Sequence, residues 1–216
     1  MEFNLSQHHT IANQFLAELR DVNIQADRLR FRRNLERIGE VLAYEASKTL
    51  AYSEKAIGTS LGIANISVPT NKLVLATILR AGLPLHQGLL NVFDQADNAF
   101  VSAYRKHHKG GDFEINLEYI SCPNLDGKTL ILSDAMLATG ASMALATKAL
   151  LEFGEPESIH FVTAIASTDG LNYIRRLYPK AYVWMGALDD ELTAKSYIVP
   201  GLGDAGDLSF GPKVQE

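Results

Sequence analysis

The sequence predicts an α/β fold built on a twisted, mainly parallel sheet flanked by helices. Three observations carry that expectation. Strand-length runs at residues 73–79, 129–132, 158–166 and 181–187 are almost continuously apolar, the pattern of strands covered on both faces. Segments of helical periodicity at 83–93, 143–153 and 170–178 alternate with them, so each helix can return the chain to a further parallel strand through a right-handed crossover. Small residues stand at two strand-to-helix junctions, Arg80-Ala81-Gly82 and Thr139-Gly140-Ala141, at the strand ends where open sheets of this kind bind ligands.

A chain of 216 residues with 47% hydrophobic content can bury one substantial core, and no Pro/Ser-rich linker divides it. The expectation is a single domain over 1–216, with an N-terminal helical elaboration at about 1–60 and a C-terminal loop at about 196–211. A net charge of -5 and a pI near 5.7 speak against broad attraction to nucleic acid or to an anionic membrane. The single Cys122 excludes an intramolecular disulfide and fits a reducing compartment. Residues 1–10 are polar, and no apolar run is long enough to span a bilayer, so a cytoplasmic protein is expected.

Taken in order, residues 10–21 and 26–52 read as two helices. In the second, Leu35, Ile38, Leu42 and Ala46 form one apolar stripe, while Arg28, Arg32, Arg33 and Arg37 lie off it. Those arginines read most simply as a solvated face, with an oligomer or effector contact as the alternative. His8 and His9 lack an acidic or Cys partner at ligand spacing and read as a terminal polar pair. After the strand 73–79 comes Arg80, whose guanidinium at a strand's carboxyl edge can clamp phosphate oxygens bidentately or serve as an ion-pair partner. Residues 99–104 form a further strand, followed by Arg105, Lys106, His107, His108, Lys109, Gly110 and Gly111. That basic run reads either as a solvated hairpin tip, since 114–120 alternates in strand fashion, or as a lid over a polyanion.

The chain is organised around residues 130–143, Leu-Ile-Leu-Ser-Asp-Ala-Met-Leu-Ala-Thr-Gly-Ala-Ser-Met. Asp134 stands where a buried strand would surface, and a small-residue loop then leads into a helix. Unpaired loop N–H groups, the positive end of the helix dipole and the hydroxyls of Thr139 and Ser142 suit a phosphate dianion. Asp134 would repel that phosphate and suits sugar hydroxyls or a metal-bound sugar, so together they point to a ribose 5-phosphate. Neither a Walker A pattern nor G-x-G-x-x-G is present. The stretch 196–211, rich in glycine and broken by Pro200, is too apolar for a disordered end and is expected to be an ordered loop without a regular element. Its glycines let the backbone approach a ligand closely, and the alternative is a tail that covers the sheet edge.

The segment 130–143 resembles the signature of the type I phosphoribosyltransferases, a strand ending in acidic residues followed by a Thr-Gly phosphate loop. Its Met-Leu-Ala-Thr-Gly form is similar to the uracil-using branch of that family. Here Ala135 replaces the usual proline of Asp-Pro-Met, and Ala141 the second glycine of Thr-Gly-Gly-Ser. Leu-Arg-Ala-Gly at 79–82 resembles the family's pyrophosphate loop, where a non-proline cis peptide is usual. Tyr-Ile-x-Pro-Gly-Leu-Gly-Asp-Ala-Gly-Asp followed by Phe-Gly, at 197–211, resembles its base-binding segment, with Leu208 replacing a usually basic residue and Pro212 a threonine. The resemblance runs from about 73 to 211.

It implies a type I phosphoribosyltransferase-like fold with a C-terminal base-binding hood. The activity implied is transfer of the 5-phosphoribosyl group from 5-phospho-α-D-ribose 1-diphosphate (PRPP) to uracil, giving UMP and diphosphate in pyrimidine salvage. Implied donor contacts are Arg80, Arg105, Asp134, Ala135, Met136, Leu137, Ala138, Thr139, Gly140, Ala141, Ser142 and Asp204. Implied uracil contacts are Ile198, Gly203, Asp204 and Ala205, with catalytic roles for Arg80 and Asp204. Mg²⁺ is the implied cofactor, arriving with PRPP without direct side-chain ligation, Asp204 being the carboxylate near it. A nucleotide effector such as GTP and a homodimer or higher homo-oligomer belong to the same expectation, with no nucleic-acid or membrane partner. One alternative is another base; orotate is disfavoured because 197–206 offers no Lys or Arg to its carboxylate. The other is a non-catalytic, PRPP-sensing, RNA-binding regulator on the same fold, which the acidic net charge counts against.

Overall fold

The computed structural model describes the backbone of residues 1–107 and 113–213, and their side chains except those of 103–107 and 113–117. The elements in chain order are β1 (Glu2–Asn4), α1 (Ala12–Arg20), α2 (Arg28–Ser47), β2 (Tyr52–Thr59), β3 (Gly62–Pro69), β4 (Leu73–Leu79), α3 (Leu83–Val92), β5 (Asp97–His107), β6 (Phe113–Ser121), β7 (Thr129–Leu137), α4 (Ala141–Leu150), β8 (Ser158–Ser167), α5 (Thr168–Leu177), β9 (Tyr182–Asp189), β10 (Glu191–Leu192), β11 (Ile198–Val199) and α6 (Ala205–Phe210). Seven strands form one sheet in the order β1-β9-β8-β7-β4-β5-β6, parallel throughout except for the antiparallel edge strand β6.

The almost continuous apolarity of the central strands follows from burial on both faces. On one face Leu16, Leu35, Ile38, Leu85 and Leu89, from α1, α2 and α3, pack against Ile131 and Val162. On the other, Met143, Leu150, Leu171 and Ile174, from α4 and α5, cover Leu130 and Phe161. β4 and β7 are sheet neighbours, yet the first feeds α3 on one face and the second α4 on the opposite face. Their loops therefore diverge and leave a crevice at the carboxyl edge of the sheet, the topological switch point of a doubly wound fold.

Helices α2 and α3 cross at backbone contact. A Cβ added to Gly88 would collide with the Glu36 carbonyl oxygen, and one on Gly39 with that of Leu85. Only glycine at both positions allows this crossing, which places the start of α3, at Gly82, beside the crevice. Helix α1 is fixed to α2 through buried Glu18. Its carboxylate accepts from Arg30 Nε and Nη2 and from Asn34 Nδ2, each at 2.7 Å, and from Gln14 Nε2 at 3.1 Å. Those hydrogen bonds, Arg30 first, hold the carboxyl down at about 2.

Several expectations are corrected. The stretch 1–60 is helical only over part of its length: β1 adds parallel to β9 through Glu2↔Val183, and α2 stops at Ser47, with Tyr52 opening a hairpin. The hairpin is closed at its base, where Asn71 Oδ1 accepts from Ala51 N at 2.6 Å and Ala51 O from Thr70 N at 2.9 Å. Its strands are largely exposed on both faces, so they carry no clean alternation for a sequence to show. β7 runs on through Leu137, because pairing with β8 continues to Leu137↔Ala166, and half-buried Asp134 therefore lies inside the strand and not at its tip. β5 likewise extends through His107, so the backbone of Arg105 is in the strand, opposite Ile115. The expected loop at 105–111 falls largely on residues 108–112, outside those described. The arginines of α2 are not simply a solvated face: Arg37 stacks on Phe15 at 5.0 Å, and Arg32 Nη1 donates to Ser209 O at 2.7 Å.

Two measurements check this account. Gly88→Ala is expected to destabilise the fold by about 1–3 kcal/mol in urea unfolding, because backbone on both sides must shift. Glu18 has a folded pKa below its ordinary value, so its contribution is fully present above about pH 4.5 and is lost as the pH falls through the range down to about 2. Thermal melting of the wild type should therefore weaken across that acid range more steeply than that of Glu18→Gln; parallel curves would contradict the assignment.

Candidate active site

The crevice at the switch point is roofed by the chain after β9 and encloses a cleft of about 700 Å³. Of the expected donor contacts, Arg80, Asp134, Met136, Leu137, Ala138, Thr139, Gly140, Ser142 and Asp204 line it. All four expected base contacts, Ile198, Gly203, Asp204 and Ala205, line it as well. The side chain of Ala135 is not brought there. It is fully buried in β7, and its carbonyl accepts from Thr163 Oγ1 at 3.2 Å. Ala141, the first residue of α4, is not among the residues that line it, and the side chain of Arg105 is outside the description.

The loop between β7 and α4 is built on Gly140. It caps α4 in the left-handed region (φ 79°), and a Cβ there would come 2.9 Å from the Tyr173 ring. Ala141, by contrast, is already the first residue of α4. The position usually held by a second glycine therefore needs no glycine here, because the chain has turned into right-handed helix. Thr139 Oγ1 accepts from Ala141 N at 3.3 Å, and Ser142 and Met143, in the first turn of α4, line the cleft, where helix-start N–H groups suit an anion.

At the end of β4 the Leu79–Arg80 peptide is cis, as the resemblance implies. Gly82 follows at a point where a Cβ would strike the Thr77 hydroxyl. The Arg80 guanidinium reaches across the cleft, Nη2 lying 2.7 Å from Asp207 Oδ1, with the two side chains 36% and 39% exposed.

The roof is fixed from outside. Asp189, 7% exposed at the end of β9, accepts from Arg20 Nη1 at 2.7 Å, Arg20 Nη2 at 2.8 Å and Gly201 N at 2.9 Å. Arg20 Nη1 also donates to Gly201 O at 2.9 Å, so the Arg20–Asp189 pair together holds both backbone groups of Gly201, in the turn that follows the cis Val199–Pro200 bond. The stretch 196–211 is not purely loop: it contains β11, paired with β10, and α6. Asp204 caps α6, its Oδ1 accepting from Asp207 N at 2.9 Å.

Asp207, Arg20 and Asp189 were not anticipated from the sequence. Asp204-x-x-Asp207 has the spacing of a helix N-terminus, a signal that could have revealed α6 and Asp207. The Arg20–Asp189 pair is 169 residues apart and leaves no local trace. Lys195 and Lys213 also line the cleft, two cations on either side of residues 197–206 in sequence.

Sheet order, the two ligand loops at the carboxyl edge and the roof across them define a type I phosphoribosyltransferase. The uracil phosphoribosyltransferase family model matches residues 5–212. A uracil phosphoribosyltransferase of Porphyromonas gingivalis is 54% identical over 212 residues, 98% of either chain. One from Thermococcus gammatolerans is 37% identical over 201 residues, 92% of this chain and 88% of the relative. A solved structure of the AQ2163 protein from Aquifex aeolicus superposes with a TM-score of 0.87 at 30% identity, covering 100% of both chains. This chain belongs to the uracil phosphoribosyltransferase family.

Gly140→Ala should lower stability by about 1–2 kcal/mol for the left-handed backbone alone, and by more for the contact with Tyr173. Denaturant unfolding reads this directly, and a neutral substitution would contradict the cap geometry.

Proposed function

We propose that this protein transfers the 5-phosphoribosyl group of PRPP to uracil, forming the C1′–N1 bond of UMP as the C1′–O bond to diphosphate breaks. The observation that carries the reading is that one cleft receives the start of α4 at Gly140 and Ser142, a strand-end arginine and a glycine-rich backbone roof. The 5-phosphate suits the Thr139–Ser142 turn, Asp134 the ribose hydroxyls, and Arg80 the diphosphate, with Arg105 assigned there by the resemblance. The leaving group is multiply charged, so the chain's task is to position the reactants and stabilise developing charge. Among the described residues no three His, Cys, Asp or Glu side chains converge to cage a cation. The two carboxylates in the cleft, Asp134 and Asp204, fit a Mg²⁺ held mainly by donor oxygens and water, where it neutralises diphosphate charge.

Uracil presents an acceptor, a donor and an acceptor at O4, N3–H and O2. The roof backbone around Ile198 to Ala205 can answer with N–H, C=O and N–H, and the turn fixed by Asp189 gives it the rigidity such a reading needs. A homo-oligomer is part of the same reading. An isolated two-stranded hairpin is marginal in water, and the β2–β3 hairpin exposes Leu61, Ile63 and Ile66. Among the described residues no helix is long and apolar enough to cross a membrane.

Uracil-dependent release of diphosphate from PRPP and Mg²⁺, with UMP identified as product, tests the proposal; no turnover of uracil, or faster turnover of hypoxanthine or orotate, would refute it. Base selectivity is the sharper outcome. Cytosine leaves two of the three hydrogen-bonding groups facing like partners, so kcat/KM should favour uracil by about 10⁴-fold or more. Comparable values for the two bases would contradict backbone readout.

A further inference from the structure

We infer that Asp207 is a positioning residue for the phosphoribosyl donor, acting through Arg80. The inference rests on the phosphoribosyl-transfer reading of this cleft. The pair itself is only partly buried, and an ion pair of that exposure adds little to stability. Its geometry is more informative than its energy. Asp207 takes one guanidinium nitrogen, Nη2, at 2.7 Å, so most of the five N–H donors of Arg80 remain for a ligand while the plane of the group is set from the roof side. Gly206 lies beside the same guanidinium: a Cβ there would sit 3.7 Å from Nη2, at ordinary van der Waals contact.

Asp207 is itself held still. Its N–H donates to Asp204 Oδ1 at 2.9 Å, and its carbonyl accepts from Gly211 N at 2.8 Å. Two residues on, Ser209 O accepts from Arg32 Nη1 at 2.7 Å, which moors α6 to α2. A flexible, entropy-rich arginine at the end of β4 is thus tied through Asp207 to an anchored element on the opposite side of the cleft. A guanidinium fixed in advance loses less freedom when it takes up diphosphate oxygens, and that gain belongs to donor binding and not to the base.

The test compares wild type, Asp207→Ala, Asp207→Asn, Arg80→Ala and the double Asp207→Ala/Arg80→Ala. Initial rates give separate KM values for PRPP and uracil, calorimetry gives the Kd for diphosphate with Mg²⁺, and melting curves establish that each variant is folded. Asp207→Ala is expected to raise the PRPP KM and the diphosphate Kd about tenfold, with Asp207→Asn intermediate because it keeps an acceptor oxygen. The uracil KM should stay within about twofold, and the double variant should be no worse than Arg80→Ala alone, as required if Asp207 acts only through Arg80. An unchanged PRPP KM in Asp207→Ala, a uracil KM that rises with it, or additive losses in the double variant would overturn the proposal while leaving the transferase reading intact. A wild-type protein that binds neither PRPP nor diphosphate would overturn both.

Discussion

The ligand-binding end of this molecule depends on one buried carboxylate. Asp189 closes β9, and its oxygens are satisfied by both Arg20 nitrogens and by the Gly201 N–H. Each partner comes from a different part of the chain: a sheet strand, the first helix and the turn that starts the roof. Breaking such a pair by removing one member leaves an uncompensated buried charge, at a cost of about 3–5 kcal/mol. The N-terminal helices therefore do more than cover the sheet. Through Arg20 they set the path of the roof backbone at Gly201, and through Arg32 they moor α6 at its far end.

The switch point makes the division of labour possible. β4 and β7 are neighbours whose chains leave toward opposite faces, so the start of α4 and a strand-end arginine both line one cleft. The roof, to which base reading is assigned in the proposed reaction, arrives from the far end of the chain and closes the third side. Contact between the two halves is made by Arg80 and Asp207, and each half also has its own anchor: the glycine crossing of α2 and α3 for the donor side, and Asp189 for the roof.

What the sequence revealed and what it hid follow from the range of the interactions. The sheet strands, α3, α4, α5 and the cleft loops were legible because burial on both faces, helical periodicity and small junction residues are local signals. Polarity marks where an apolar run ends and so puts Asp134 at a strand tip, whereas pairing with β8 carries the strand three residues further. The β2–β3 hairpin was invisible because exposure on both faces removes the alternation that betrays a strand. Ala141 departs from the family pattern harmlessly, since the left-handed turn is made one residue earlier. The clamp at Asp189 joins residues 169 apart, which no spacing rule reaches.

The central claim is that base recognition depends on a roof backbone held in place by Asp189, separately from the grip on the donor. Arg20→Met keeps the apolar stem and removes the cation, and its steady-state kinetics test the claim most directly. The account predicts a folded variant whose KM for uracil rises by about tenfold or more, equivalent to about 1.4 kcal/mol or more of lost binding, while its KM for PRPP stays within about twofold. A folded variant with an unchanged KM for uracil, or one in which both constants rise together, would contradict it.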